Sequence, residues 1–172
     1  MAKRPERNEA SEYYFTYIDQ VPEGEICEQL VSQLHDVRTL ANGITEPHSL
    51  HRYAAGKWTI RDVMNHVSDC ERLFVARAFW FARGFESPLP SFDQEIAVST
   101  ARANDRQWAD IVAEFEAIRA ATIAFFQALP EEAWARRGIA SDNPFTVRAL
   151  AYMCVGHVTH HTKILHERYL RQ

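Results

Sequence analysis

The sequence predicts an all-α protein built as a single four-helix bundle. Hydrophobic residues recur with a period near 3.6, as on one face of an amphipathic helix, and the alternation typical of strands is scarce. Four stretches of roughly 20–25 residues carry such a stripe, and each has a start or stop signal. Helices of this kind bury their stripes against one another, and a four-helix bundle does so in one core. With 172 residues, we expect one domain over residues 1–172.

The first two predicted helices have clear stripes and ends. The first covers residues 23–43, and Gly43 can end it. The second covers residues 59–84 and begins at Thr59, whose hydroxyl can cap the helix, while Asp62 completes a partial capping box. The apolar stripes are Ile26, Leu30, Leu34, Val37 and Ala41 in the first helix, and Ile60, Val63, Met64, Val67, Phe74, Ala78 and Phe81 in the second.

The last two helices are predicted in the same way. The third covers residues 104–129 and is stopped by Pro130, because proline cannot continue a helix. The fourth covers residues 146–170, with Thr146 as its cap. Their stripes are Trp108, Ile111, Val112, Phe115, Ile118, Thr122, Phe125 and Leu129 in the third helix, and Val147, Leu150, Ala151, Cys154, Val158 and Leu165 in the fourth.

The connections favour one topology. Residues 85–103, which include Pro88 and Pro90, are long enough to run back along the bundle, so the second and third helices can be parallel. This predicts an up-down-down-up order. Residues 1–20 are too aromatic for a disordered tail, and we expect them to pack across the bundle through Tyr13, Tyr14, Phe15 and Tyr17.

Composition limits the kinds of partner and the cellular compartment that we expect for this protein. The net charge is −4 and positive residues are interspersed with negative ones, so the chain has no basic patch for nucleic acid. No apolar run approaches the roughly 20 residues of a membrane span, and the start of the chain lacks the hydrophobic segment of a signal peptide. These features predict a cytoplasmic protein without a membrane partner. Cysteines occur at three positions without a CxxC pair, so we expect reduced thiols at Cys27, Cys70 and Cys154.

Three histidines predict a metal site. His157 and His161 are four residues apart on the fourth helix, so their side chains lie one above the other and can reach one ion. His66, on the second helix, can supply a third imidazole. Zn²⁺ and similar divalent transition metals bind neutral imidazole readily, and catalytic sites commonly offer three protein ligands.

Helical phase sorts the candidates. At about 100° per residue, His66 and His157 each lie about 80° from the centre of their apolar stripes and His161 about 40°, whereas His160 points outward. The pair of His66 and Cys70 is a competing set of ligands, although Cys70 also fits the stripe as packing. The remaining histidines lack ligand spacing; these are His35, His48, His51 and His166.

Carboxylates near His66 offer no clear general base. Asp69 and Glu71 are the only ones close in sequence. The phase of Glu71 turns it toward the interior, where a carboxylate needs a partner. It can orient a ligand imidazole or accept hydrogen bonds from an arginine, or it can stay partly exposed at the edge of the stripe. No catalytic residue is assigned from the sequence.

Several stretches together resemble the DinB-like (YfiT-like) metalloenzyme family. The resemblance covers most of residues 20–170, and its order and spacing are more specific than any single piece. Its parts are Arg52-Tyr53-Ala54-Ala55-Gly56-Lys57-Trp58-Thr59-Ile60-Arg61-Asp62-Val63, His66, Asp69-Cys70-Glu71-Arg72, Ala82-Arg83-Gly84, Leu89-Pro90-Ser91-Phe92-Asp93 and Gly156-His157-Val158-Thr159-His160-His161.

The resemblance implies an up-down-down-up bundle that often forms a homodimer. It also implies one divalent metal (Zn, Ni or Mn) bound by His66, His157 and His161. Some members resemble transferases that use a low-molecular-weight thiol such as bacillithiol or mycothiol, so a metal-dependent S-transferase acting on a small molecule is favoured. A metal-dependent hydrolase and a non-catalytic metal-binding or interaction module are the alternatives.

Overall fold

The computed structural model describes residues 3–170 and confirms the all-α four-helix bundle. The two residues at each end of the predicted domain lie outside the described part. None of the described helices has the length and apolar character to cross a membrane. The helices are α1 (Phe15–Ile18), α2 (Ile26–Asn42), α3 (Ile60–Ala82), α4 (Gln94–Ala101), α5 (Trp108–Gln127) and α6 (Val147–Ile164), which a π-helical turn extends over Leu165–Tyr169.

Contacts at the helix ends give the direction of the chain. The indole N–H of Trp108, at the start of α5, donates to the carbonyl of Ala41 near the end of α2 (3.2 Å), so α2 and α5 are antiparallel. The Tyr169 hydroxyl, just past α6, donates to the carbonyl of Trp58, just before α3 (3.0 Å), so α3 and α6 are antiparallel too.

The pair α3 and α5 is parallel, which completes the predicted up-down-down-up order. Arg106, just before α5, donates to the side chain of Asn65 early in α3 (3.3 Å). The connection between them includes α4, capped by Asp93, whose carboxylate accepts the backbone N–H groups of residues 95 and 96. The sequence pattern did not predict a helix within residues 85–103. None of the α4 residues is buried, so this helix has no periodic apolar stripe from which it could be predicted.

A β-hairpin, also not predicted, precedes α6. Strands β1 (Arg137–Ala140) and β2 (Asn143–Thr146) pair antiparallel through a two-residue turn. Both turn residues have positive φ, +49° at Ser141 and +58° at Asp142, as a type I′ turn requires. Strands of four residues are too short for a recognisable alternation, which is why the sequence pattern missed them.

The predicted helix caps are confirmed. The Thr59 hydroxyl accepts the backbone N–H of Asp62 (3.0 Å), and the Asp62 carboxylate accepts the N–H of Thr59 (2.9 Å), which completes the capping box. Thr146 caps α6 by accepting the N–H of Ala149 (3.0 Å). Both caps fix where their helices begin, and therefore how deep in the bundle the histidines lie.

A charged cluster at the centre joins all four long helices. The guanidinium of Arg119 (α5) is fully buried and donates two hydrogen bonds of 2.7 Å to the carboxylate of Glu71 (α3), itself 1% exposed. It also donates to the Gln33 side chain of α2 (2.9 Å) and, more weakly, to the carbonyl of Cys154 in α6 (3.4 Å). Glu71 thus finds an arginine, one of its two anticipated partners.

The N-terminal segment lies against α6. Phe15 and Ile18 of α1 are buried, and the backbone of Tyr17 approaches Gly156 so closely that a Cβ there would stand 2.2 Å from the Tyr17 carbonyl oxygen. Only glycine permits this approach. As a result, the Tyr17 ring packs edge-on against His157, with their ring centres 5.3 Å apart.

Candidate metal centre

The structure brings the three predicted histidines together between α3 and α6. His66 lies two turns into α3, and His157 and His161 lie one turn apart on α6. One ring nitrogen from each lies within 4.8 Å of the other two. The Nε2 atoms of His157 and His161 are 3.2 Å apart, and the centre of the His66 ring is 5.0 and 4.9 Å from those of His157 and His161.

This arrangement fits a divalent transition metal. Two nitrogens that bind one ion at about 2.0–2.1 Å stand roughly 3 Å apart, which matches the separation between the His157 and His161 nitrogens. A His66 nitrogen lies within 4.8 Å of both, so the third imidazole is also close enough to take part in the shell. Three imidazoles suit Zn²⁺ and Ni²⁺ in particular.

Burial keeps the three rings neutral, the form that binds metal. It lowers the pKa of His66 to about 4 and that of His161 to about 3, where nearby His66 and His160 contribute further. The pKa of His157 falls well below its usual range, first through burial and then through the other histidines. Near neutral pH, each ring therefore retains a nitrogen lone pair for coordination.

These pKa values predict acid sensitivity of the metal-free protein. The unfolded chain binds a proton at His66 near pH 6.5, whereas the folded chain resists it down to about pH 4. Stability is therefore full above pH 6.5 and should decline as the pH falls toward 4. Urea unfolding across this range measures the decline. A His66→Asn variant should lose less stability over the same interval, and equal losses in both proteins would contradict the prediction.

Aromatic side chains enclose the histidines. Trp58 lies 4.9 Å from His66 between ring centres, and Phe74 lies 5.7 Å from His157. Tyr17 covers the same histidine from the N-terminal segment. These rings take the place of water on the faces of the imidazoles that they contact, which contributes to the desolvation of the histidines. Trp58 lies in the stretch that resembles the family, while no pattern linked Tyr17 to the site.

Two cavities border the histidine cluster. The larger, about 320 Å³, is lined by His161 and Trp58 together with the exposed carboxylate of Glu95 from α4. The smaller, about 170 Å³, is lined by His66 and His157 and by residues of the N-terminal segment and the hairpin. Each of the three histidines therefore lines one of these two cavities.

The competing thiol ligand is disfavoured. The Cys70 sulfur lies 3.7 Å from both ring nitrogens of His66, but burial raises the pKa of this thiol to about 12. The ligand atoms that converge among the described residues are those of the three histidines, and the Cys70 sulfur is not one of them. Within residues 3–170, all three cysteines are free.

The remaining candidates lie outside the cluster. Asp69 accepts a hydrogen bond from Asn65 (2.8 Å), and Glu71 is engaged by Arg119 in the core. His160 faces the N-terminal segment, with its ring centre 5.4 Å from that of Tyr17. The nitrogen cluster likewise contains none of the histidines without ligand spacing: His35, His48, His51 and His166.

Comparisons with known proteins agree with this architecture. YfiT from Bacillus subtilis, described as a probable metal-dependent hydrolase with an unusual four-helix bundle topology, superposes with a TM-score of 0.68 over 95% of this chain and 92% of YfiT. The two are 17% identical, so the likeness concerns the fold alone. No curated protein matches the sequence significantly. A sequence model of the DinB superfamily matches residues 29–165, most of the chain. The chain therefore belongs to the DinB superfamily.

Proposed function

We propose that the protein is a metal-dependent enzyme that acts on a small molecule, with His66, His157 and His161 as the metal ligands. The proposal depends on one observation: three neutral imidazole nitrogens lie within 4.8 Å of one another, and each of the three histidines lines a cavity. A divalent metal bound there would lower the pKa of a thiol or a water toward neutrality. Three ligands beside cavities favour an enzyme over a structural site, which usually has four protein ligands and is closed.

Thiol-dependent S-transfer is the favoured reaction. A free thiol has a pKa of about 8.5, so it needs little help from a base to react as a thiolate near neutral pH. The carboxylates near His66 in sequence are already engaged, Asp69 by Asn65 and Glu71 by Arg119. Separate cavities also suit two substrates, a low-molecular-weight thiol in one and its electrophile in the other.

Hydrolysis is the second candidate, and one observation favours it. Glu95 lines the same cavity as His161 and is exposed, so its carboxylate is available to accept a proton from water. In this reaction Glu95 would act as the general base that the sequence alone did not identify.

The test is an assay of the metal-loaded protein. Zn²⁺, Ni²⁺ and Mn²⁺ are each tried, with conjugation of several low-molecular-weight thiols to monochlorobimane beside hydrolysis of p-nitrophenyl esters. We expect metal-dependent conjugation that is lost in His157→Ala and kept in His160→Ala. Ester hydrolysis that is lost in both His157→Ala and Glu95→Gln would instead favour the hydrolase. Rates that are the same in wild type and His157→Ala would refute the proposal.

The partners in this proposal are small molecules, not nucleic acid. The homodimer implied by the family resemblance stays a prediction. Light scattering coupled to size-exclusion chromatography would determine whether two copies of the chain associate.

A further inference from the structure

Arg77 carries a buried charge without a counter-charge. Its side chain lies on α3 and is 3% exposed. One terminal nitrogen, Nη2, donates to the carbonyl of Pro90 (3.0 Å) and to the Ser141 hydroxyl (2.7 Å). The Nε atom has no hydrogen-bond partner among residues 3–170. No carboxylate in this part of the chain forms an ion pair with Arg77.

The other two deeply buried arginines, unlike Arg77, each form an ion pair with a glutamate. Arg119 is paired with Glu71, and Arg61, 4% exposed, is paired with Glu46. Removing a guanidinium from water is costly unless an anion and hydrogen bonds compensate for it. The fold meets this requirement at two of the three arginines. At Arg77 it provides only neutral oxygen acceptors.

The unpaired guanidinium lines the small cavity beside the histidine cluster. Arg77 follows His66 by eleven residues on α3, three helical turns, so the two side chains share one face of the helix. Both line the cavity of about 170 Å³, and so does His157. The lining of this cavity also includes the aromatic side chains of Phe74 and Tyr14.

We propose that Arg77 binds a carboxylate of the substrate, so that the substrate is a small organic acid with an apolar body. The carboxylate would bind the guanidinium of Arg77, the apolar body would pack against Phe74 and Tyr14, and the reactive group would face His66 and His157. The last point rests on the proposed function; binding of the carboxylate does not. A cavity smaller than the usual 300 Å³ or more of drug-sized sites requires a small ligand.

Ser141 offers a second polar group for the carboxylate. It occupies the first position of the type I′ turn with φ +49°, where asparagine or glycine is preferred, so the backbone is strained. Its hydroxyl oxygen accepts from Arg77, which leaves the hydroxyl proton free to donate to an anion. One cation and one hydroxyl suit a singly charged carboxylate. A phosphate, with its higher charge, would need more positive groups.

The proposal is tested by calorimetry on metal-free protein, because a bound metal could itself capture a carboxylate. The probes are benzoate, its neutral analogue benzamide, and inorganic phosphate. We expect wild type to bind benzoate, and Arg77→Gln to bind it about tenfold or more weakly. Arg77→Lys should recover part of the affinity. Benzamide bound as tightly as benzoate would overturn the proposal, and phosphate bound more tightly than benzoate would overturn the carboxylate assignment.

Two turn variants guard against loss of folding in Arg77→Gln. Ser141→Gly relieves the strained φ and removes the hydroxyl, so it should fold at least as well while weakening benzoate binding severalfold. Asp142→Gly relieves similar strain without removing that hydroxyl, and benzoate binding should not weaken. Equal affinity in wild type, Arg77→Gln and Ser141→Gly would overturn the proposal. His161→Ala should keep benzoate binding, so failure of the proposed metal site and failure of this subsite are distinguishable.

Discussion

Replacing His161 with alanine is expected to abolish stoichiometric binding of Zn²⁺ or Ni²⁺, whereas His160→Ala leaves binding intact. The His161 Nε2 atom lies 3.2 Å from that of His157, close enough to share an ion, while the neighbouring His160 ring packs on Tyr17. Removing one of three ligands should weaken binding by more than the roughly 10–100-fold that loss of a supporting residue costs. Competition with a chromophoric chelator measures the affinity.

The comparison between the two variants makes the result interpretable. Both remove an imidazole from the same turn of α6, and His160 and His161 are both partly exposed. Circular dichroism of the metal-free variants would show whether each has kept its helices. If both variants lose the metal, or neither does, the assignment of His161 as a ligand is wrong.

The largest expected loss of stability follows from Arg119→Met. This change leaves the Glu71 carboxylate buried without its cation, and breaking such a buried pair costs about 3–5 kcal/mol. Small domains have unfolding free energies of about 5–15 kcal/mol, so the variant should lose a large fraction of its stability. Urea unfolding followed by circular dichroism gives the difference from wild type.

A more exposed ion pair that joins α2 and α5 serves as the control. Arg38 of α2 donates to Glu116 of α5 (2.8 Å), but their side chains are 43% and 30% exposed. Arg38→Met should therefore cost less than about 1 kcal/mol. The double variant Glu71→Leu/Arg119→Met should lose less stability than the two single changes together, because no charge is left unpaired. Strict additivity would count against this account.

The sequence predicted those parts of the fold that have several turns of apolar period. The long helices α2, α3, α5 and α6 each bury a stripe, so their positions and caps could be identified in advance. Helix α4 buries none of its residues, and the hairpin has only four residues a strand, so neither produces a pattern. Their placement is decided by contacts distant in sequence, such as the pairing of Leu89 with Ala140.

The candidate metal site could also be predicted only in part from the sequence. The spacing of His157 and His161, with helical phase, was enough to nominate three histidines, because it follows from the geometry of single helices. Helical phase also predicted that Glu71 faces the interior. It could not identify the partner, Arg119, which is 48 residues away in the sequence. Arg77 shares the helical face of His66, a signal that was present in the sequence. Its lack of a carboxylate, however, depends on how separate segments pack around it.

Because of Gly156, one wall of the small cavity is formed by a different part of the chain from the helices that carry the histidines. By letting the Tyr17 backbone approach α6, this glycine makes the N-terminal segment a wall of the small cavity, while the histidines belong to the bundle. Substitutions at Tyr13 or Tyr14 can therefore reshape what enters the cavity without disturbing the helices that carry the imidazoles. For protein engineering, this makes the N-terminal segment the place to alter substrate choice, with residue 156 kept as glycine.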